Sequence, residues 1–96
     1  MPTYVMLTKL AAGAEPGNLE ALSHQVNEKV RAQCPKVKWL GNYAILGPYD
    51  YLDIFEAPDE ITAAKVVMII RSYGHALTET WTAMPWQRFE IVLPAA

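Results

Sequence analysis

VKWLGNYAILGPYDYLDIFEA, residues 37–57, decides the fold. Both ends are rich in Val, Trp, Tyr, Ile, Leu and Phe, and Gly47-Pro48-Tyr49-Asp50 lies between them. Branched and aromatic side chains favour strands and a Gly-Pro pair marks a turn, so residues 37–46 and 51–57 are predicted to form a hairpin. Gly41 within the first strand points to a bulge or a close backbone approach. Unbroken alternation puts Trp39, Tyr43 and Ile45 on one face. In the returning strand, Leu52 and Ile54 alternate against Tyr51, Asp53 and Phe55.

Working outward, residues 17–33 carry Leu19, Leu22, Val26 and Val30, one stripe of an amphipathic helix. Asn18 is a candidate helix start, and Cys34-Pro35 stops the helix because a residue before proline resists helical angles. TYVMLTKL, residues 3–10, is a strand whose alternate sets, Thr3, Val5, Leu7 and Tyr4, Met6, both contain apolar residues. Downstream, Asp59 is the expected N-cap of a second helix running to Gly74. Its buried stripe is Ala63, Val66, Val67 and Ile70, with Met68 and Ile69 widening the apolar surface. Residues 76–85 alternate as a strand ended by Pro85, and WQRFEIVL, 86–93, again has strand composition, fit to extend an edge or cross to a neighbour.

The order is β-α-β-β-α-β. It predicts an α+β, ferredoxin-like domain with a four-stranded antiparallel sheet and both helices on one face. One domain spans 1–96, with a core of about 2–90 and a C-terminal strand or tail at 86–96. A sheet face meeting water should be polar. Here both alternation sets are apolar, so two sheets are expected to close face to face in a two-fold homodimer, alone or in multiples of dimers.

Composition narrows the partners. Charged residues make up 19% and apolar ones 52%, with a net charge of -2. No Lys/Arg block favours nucleic acid or an anionic membrane, and no apolar run spans a bilayer. MPTYVMLTKL lacks the features of a signal peptide, and the single Cys34 has no internal disulfide partner, so a reducing cytoplasm is expected. Two histidines and one cysteine, far apart, offer no metal-ligand spacing, and no nucleotide or phosphate loop is present. Neither a metal nor a cofactor is expected.

Several blocks together carry a resemblance. Gly41-x-Tyr43-Ala44-x-Leu46-Gly47-x-Tyr49-Asp50, Glu56-Ala57-Pro58-Asp59 and Thr78-Glu79-Thr80-x-Thr82-Ala83-x-Pro85 resemble the GYD domain, as does the opening Tyr4-Val5-x-Leu7-Thr8-Lys9-Leu10. The resemblance covers about residues 2–90. It implies the dimeric α/β-barrel superfamily, which includes cofactor-free monooxygenases, haem enzymes and enzymes of small-molecule degradation. Many members carry a basic residue where Leu77 stands, so a site built on that residue is not carried over.

Each candidate residue has a structural and a chemical reading. In Gly47-Pro48-Tyr49-Asp50 the structural one leads: Asp50 ties nearby amides as an Asx turn and Tyr49 lends its hydroxyl to a backbone group. The chemical one sets Tyr49 and Asp50 on a cleft rim, binding or deprotonating a substrate. His24 lies about 200° around the helix from Leu22 and faces solvent. His75, after Gly74, suits the helix C-terminal dipole; the alternative is a general base or haem ligand. Glu79, between Leu77 and Trp81 on an apolar face, either pairs with a threonine, tyrosine or arginine across the dimer or is a buried acid of raised pKa. Asp53 invites the same reasoning, with a strand aspartate simply facing water as the alternative. Tyr43 and Trp39 are core or interface aromatics, or walls of a planar-ligand pocket.

Two functions follow. In the first, Tyr43, Tyr49 and Trp81 bind a small organic molecule, with His75, Glu79 and Asp50 as the catalytic candidates. In the second, the chain is a non-catalytic, oligomeric module for a metabolite or protein, using the apolar surface of the second helix and WQRFEIVL.

Overall fold

β1 (Thr3–Lys9) lies inside the sheet, antiparallel to β3 (Tyr51–Glu56) on one side and to β4 (Leu77–Ala83) on the other. β2 (Lys38–Ala44) pairs with the outer edge of β3, giving the order β2-β3-β1-β4. α1 (Leu19–Gln33) and α2 (Glu60–Arg71) complete the ferredoxin-like arrangement. The computed structural model describes residues 1–10, 19–73 and 77–95. The expected helix start at Asn18 and stop at Gly74 lie outside these.

The core forms where the helices meet one sheet face. Phe55, Met6, Val30 and Val66 are fully buried there, joined by Tyr4, Cys34, Ala57, Ala63 and Ile69. Phe55 stacks on Tyr4 and meets Trp39 edge-on, both at 5.5 Å between ring centroids. Ile69 is therefore a core residue rather than surplus helix surface, and Met68 is the exposed member of that pair. Asp59 caps α2 by accepting a 2.7 Å hydrogen bond from Thr62 N. α1 stops where expected, Cys34 N donating to Val30 O.

Gly41 does mark a bulge. Trp39 sits opposite Phe55 but Gly41 opposite Ile54, so Leu40 is an extra residue in β2. That residue breaks the alternation. Trp39 and Tyr43 do not share a face: Trp39 packs in the core, whereas Tyr43 lies opposite Leu52 on the sheet face away from the helices.

The segment after β4 is not a strand. α3 (Trp86–Phe89) and a 3₁₀ turn at Glu90–Val92 follow Pro85. Proline's fixed φ starts a helical turn, and the Pro85 carbonyl accepts from Arg88 N and Phe89 N at 2.9 and 3.0 Å. Trp86 and Phe89, three residues apart, bring their rings to 5.4 Å. All residues from Met84 to Ala95 are exposed, so the segment projects as an apolar arm. The arm lengthens the molecule: its extents are 54 × 31 × 17 Å, and its radius of gyration of 14.9 Å exceeds the ~12.5 Å of a compact chain this size.

Candidate functional site

Two separate places collect the chemistry-bearing side chains. The first is the sheet face away from the helices. Cross-strand pairing brings Val5 beside Ile54 and Trp81, and Leu7 beside Leu52 and Glu79. Leu7 is buried by its neighbours, while Tyr43, Trp81 and Leu77 each expose more than half their surface. The middle of the face is apolar around the Glu79 carboxylate, with Lys9, Lys38 and Glu56 at its ends. Glu79 Oε1 accepts from the Trp81 indole at 2.9 Å, and Oε2 accepts from the Tyr49 hydroxyl.

The turn delivers Tyr49 there. Asp50 N donates to Thr8 O at 2.9 Å, Ile45 N donates to Asp50 O at 2.9 Å, and Asp50 Oδ2 accepts from Leu10 N at 2.8 Å. Asp50 thus closes the far end of β1 across strands and does not form a local Asx turn. Tyr49 reaches Glu79, not a backbone group. Glu79 finds its tyrosine partner within its own chain. These hydrogen bonds, Tyr49's first and then Trp81's, hold the Glu79 carboxyl below its usual range, opposite to a buried acid of raised pKa. The bond to Glu79 in turn pushes the Tyr49 hydroxyl up.

The second place is a cavity of about 360 Å³ between α1 and the sheet. It exists because α1 packs unevenly. Val30 and Cys34 are sealed into the core, but Leu19, Leu22 and Val26 are only half-buried. Across the gap from them stand Thr8, Asn42, Ala44 and Asp53, which are too small or too polar to fill it. Asp53 therefore turns toward the helices instead of open water. Its Oδ1 accepts from Asn42 Nδ2 at 2.7 Å. Burial pushes its carboxyl above the usual range, against the opposing pull of that hydrogen bond.

The five predicted site residues that are described do not line one cleft, and Tyr43 also borders the cavity. Tyr49, Glu79 and Trp81 meet on the open face, with Tyr43 at its β2 edge, while Asp50 is engaged at the end of β1. His75 lies outside the described residues. His24 is exposed, as its helical position implies. Among the described residues no cluster of three metal-ligating side chains occurs. Asn42, Tyr51 and Tyr73 also line the cavity, and no motif or spacing in the sequence marks them. The signal for Asp53 was present: it alternates in step with Phe55, so a buried Phe55 carries Asp53 to the same side.

Family comparison adds to this geometry. The GYD domain model matches residues 4–93. The chain belongs to the GYD domain family. A Thermus thermophilus protein, named glutamine synthetase and cystathionine beta-lyase binding protein, is 35% identical to this GYD domain over 88 residues, covering 88% of the chain and 90% of its own length. A hypothetical protein of Pyrococcus horikoshii superposes with a TM-score of 0.56 at 26% identity, over 88% of this chain and 92% of its own. The leucine response regulatory protein of Mycobacterium tuberculosis superposes with a TM-score of 0.64 at 11% identity over 88% of this chain, a likeness of fold alone. The GYD domain spans about half, 51%, of that regulator's length. No described helix is long and apolar enough to cross a membrane.

Proposed function

We propose that this GYD domain is a non-catalytic, self-associating module that binds other proteins. The observation that carries it is the open sheet face, where apolar residues surround a carboxylate whose two oxygens already have donors. A carboxylate supplied with its hydrogen bonds can be covered at far lower cost than a bare one. Four strands ~4.8 Å apart and ~7 residues long give a face of about 400 Å² in projection. A standard interface buries about 800 Å² of accessible surface per partner. The relief of the side chains and the apolar arm from Trp86 to Leu93 supply further area, so the arm crosses to the second copy in this reading. The 35% identical Thermus protein, named for binding two enzymes, supports protein capture by the resulting dimer.

Sedimentation equilibrium of the chain and of Ile54→Lys tests self-association. The wild type should run as a dimer or a multiple of it, and the variant as a folded monomer. Surface-bound chain should then capture purified glutamine synthetase or cystathionine beta-lyase. A monomeric wild type sinks the assembly, and failure to bind either enzyme sinks the transfer of partner from the relative.

The cavity under α1 favours a second reading, in which the module also holds a small organic molecule. Pockets for such ligands start at roughly 300 Å³ and combine apolar walls with a few polar groups. This cavity has that size and makeup.

A further inference from the structure

We infer that the cavity between α1 and the sheet takes a small organic cation, its ammonium against Asp53 and its apolar body against Trp39, Leu22 and Val26. The inference rests on the small-molecule reading of that cavity and adds the ligand's charge and shape.

Four observations select the class. Asp53 is the one acid among the described residues of the cavity wall, and none of the eight Lys and Arg side chains, all within the described residues, lines it. Asp53 Oδ1 is engaged by Asn42, while Oδ2 receives no hydrogen bond from a described residue. A neutral amide donor beside a partly buried carboxylate leaves the negative charge without a counter-charge from any described residue, and burial has shifted this group toward its protonated form. An ammonium would supply both the missing donor and the charge. Aromatic rings from Trp39, Tyr51 and Tyr73 also border the space, and ring faces attract cations. An anion would meet a carboxylate with no lysine or arginine to offset it. A neutral hydroxyl can donate to Oδ2 but brings no counter-charge, so it satisfies only half of what the carboxylate lacks. At about 360 Å³ the cavity has room for one substituted ring or a short aliphatic chain.

Protein-observed NMR of the full chain decides it, using phenethylamine, 2-phenylethanol and 3-phenylpropionate as cationic, neutral and anionic probes of similar size. Expected are shifts at the Trp39 indole, the Asn42 side-chain amide and Leu22, with phenethylamine bound about tenfold or more tightly than 2-phenylethanol. Asp53→Asn, which keeps the shape, should abolish that preference and leave the alcohol's affinity unchanged. Equal binding of amine and alcohol by the wild type, or an undiminished preference in Asp53→Asn, overturns the cationic class while the cavity reading stands. No shift at cavity residues with any of the three probes overturns the cavity reading itself. The wild-type comparison needs no variant, so the test survives a failure of Asp53→Asn to fold.

Discussion

Replacing Asp50 asks whether this aspartate of the Gly-x-Tyr-Asp turn is structural. Its Oδ2 accepts from the partly buried Leu10 N–H at 2.8 Å, closing the end of β1. Hydrogen bonds to a charged acceptor contribute about 1.5–3 kcal/mol, and neutral ones about 0.5–1.5 kcal/mol. Alanine removes the acceptor, although water reaches Leu10 in part, so Asp50→Ala should lose about 2 kcal/mol. Asparagine retains an oxygen in the same place and should lose about 1 kcal/mol. The two backbone hydrogen bonds of Asp50 remain in both variants. At ~4–8 °C per kcal/mol for a chain of this size, the melting temperature should fall by roughly 10 °C and 5 °C respectively. Urea unfolding must be run at one fixed protomer concentration, because self-association would otherwise shift the midpoint. An Asp50→Ala protein as stable as the wild type would refute the structural assignment. Equal losses for alanine and asparagine would show that the Leu10 hydrogen bond is not the source.

Other perturbations address neighbouring claims. Tyr49→Phe removes the first of the two donors to Glu79, so a carboxyl-carbon NMR titration should find Glu79 moved back up toward its ordinary range. The Glu79 folded pKa lies below the unfolded one, so its hydrogen bonds add stability above the unfolded value that disappears as pH falls through the folded value. Asp53 has the opposite sign. Its folded pKa is raised, so stability declines as pH rises from the unfolded value through the folded value, and melting curves of Asp53→Asn should lack that decline. A Cβ at Gly41 would stand 2.7 Å from Tyr43 Cε2. Gly41→Ala should therefore swing the Tyr43 ring aside at a cost of about 1 kcal/mol, and adding Tyr43→Ala should recover most of it in a double-mutant cycle. Asp59→Ala removes the cap of α2 and should cost about 1 kcal/mol by denaturant titration.

The strands and helices were legible because periodicity and punctuation agree along most of the chain. Leu19, Leu22, Val26 and Val30 recur at helical spacing, and Asp59 caps where a cap was needed. The side on which each β2 residue falls was not legible. Gly41 announced a bulge, but a sequence does not state which neighbour becomes the extra residue, and that choice moved Trp39 away from Tyr43. WQRFEIVL misled because strand composition says nothing about whether a partner strand is available. After Pro85 the chain makes its hydrogen bonds locally. On the candidate site, sequence reasoning brought Glu79 and Trp81 onto one face, since they are two residues apart on a strand. The joining of Tyr49 to Glu79, 30 positions away, depends on how Asp50 anchors the turn to β1. The cavity was invisible because it arises from a mismatch between half of α1 and the small side chains opposite.

The extra residue in β2 bears on how such a domain can change over time. Leu40 separates two registers, so deleting it would restore simple alternation and rotate one side of β2 by half a turn relative to the other. The change would be felt at both surfaces at once: the indole of Trp39 could leave the core for the exposed side, or Tyr43 and Asn42 could exchange sides, with Asn42 drawn away from Asp53. No single substitution achieves that exchange. Loss or gain of one codon at this edge strand is thus a route by which the interior cavity and the exterior face would be remodelled together, while the other three strands keep their pairing.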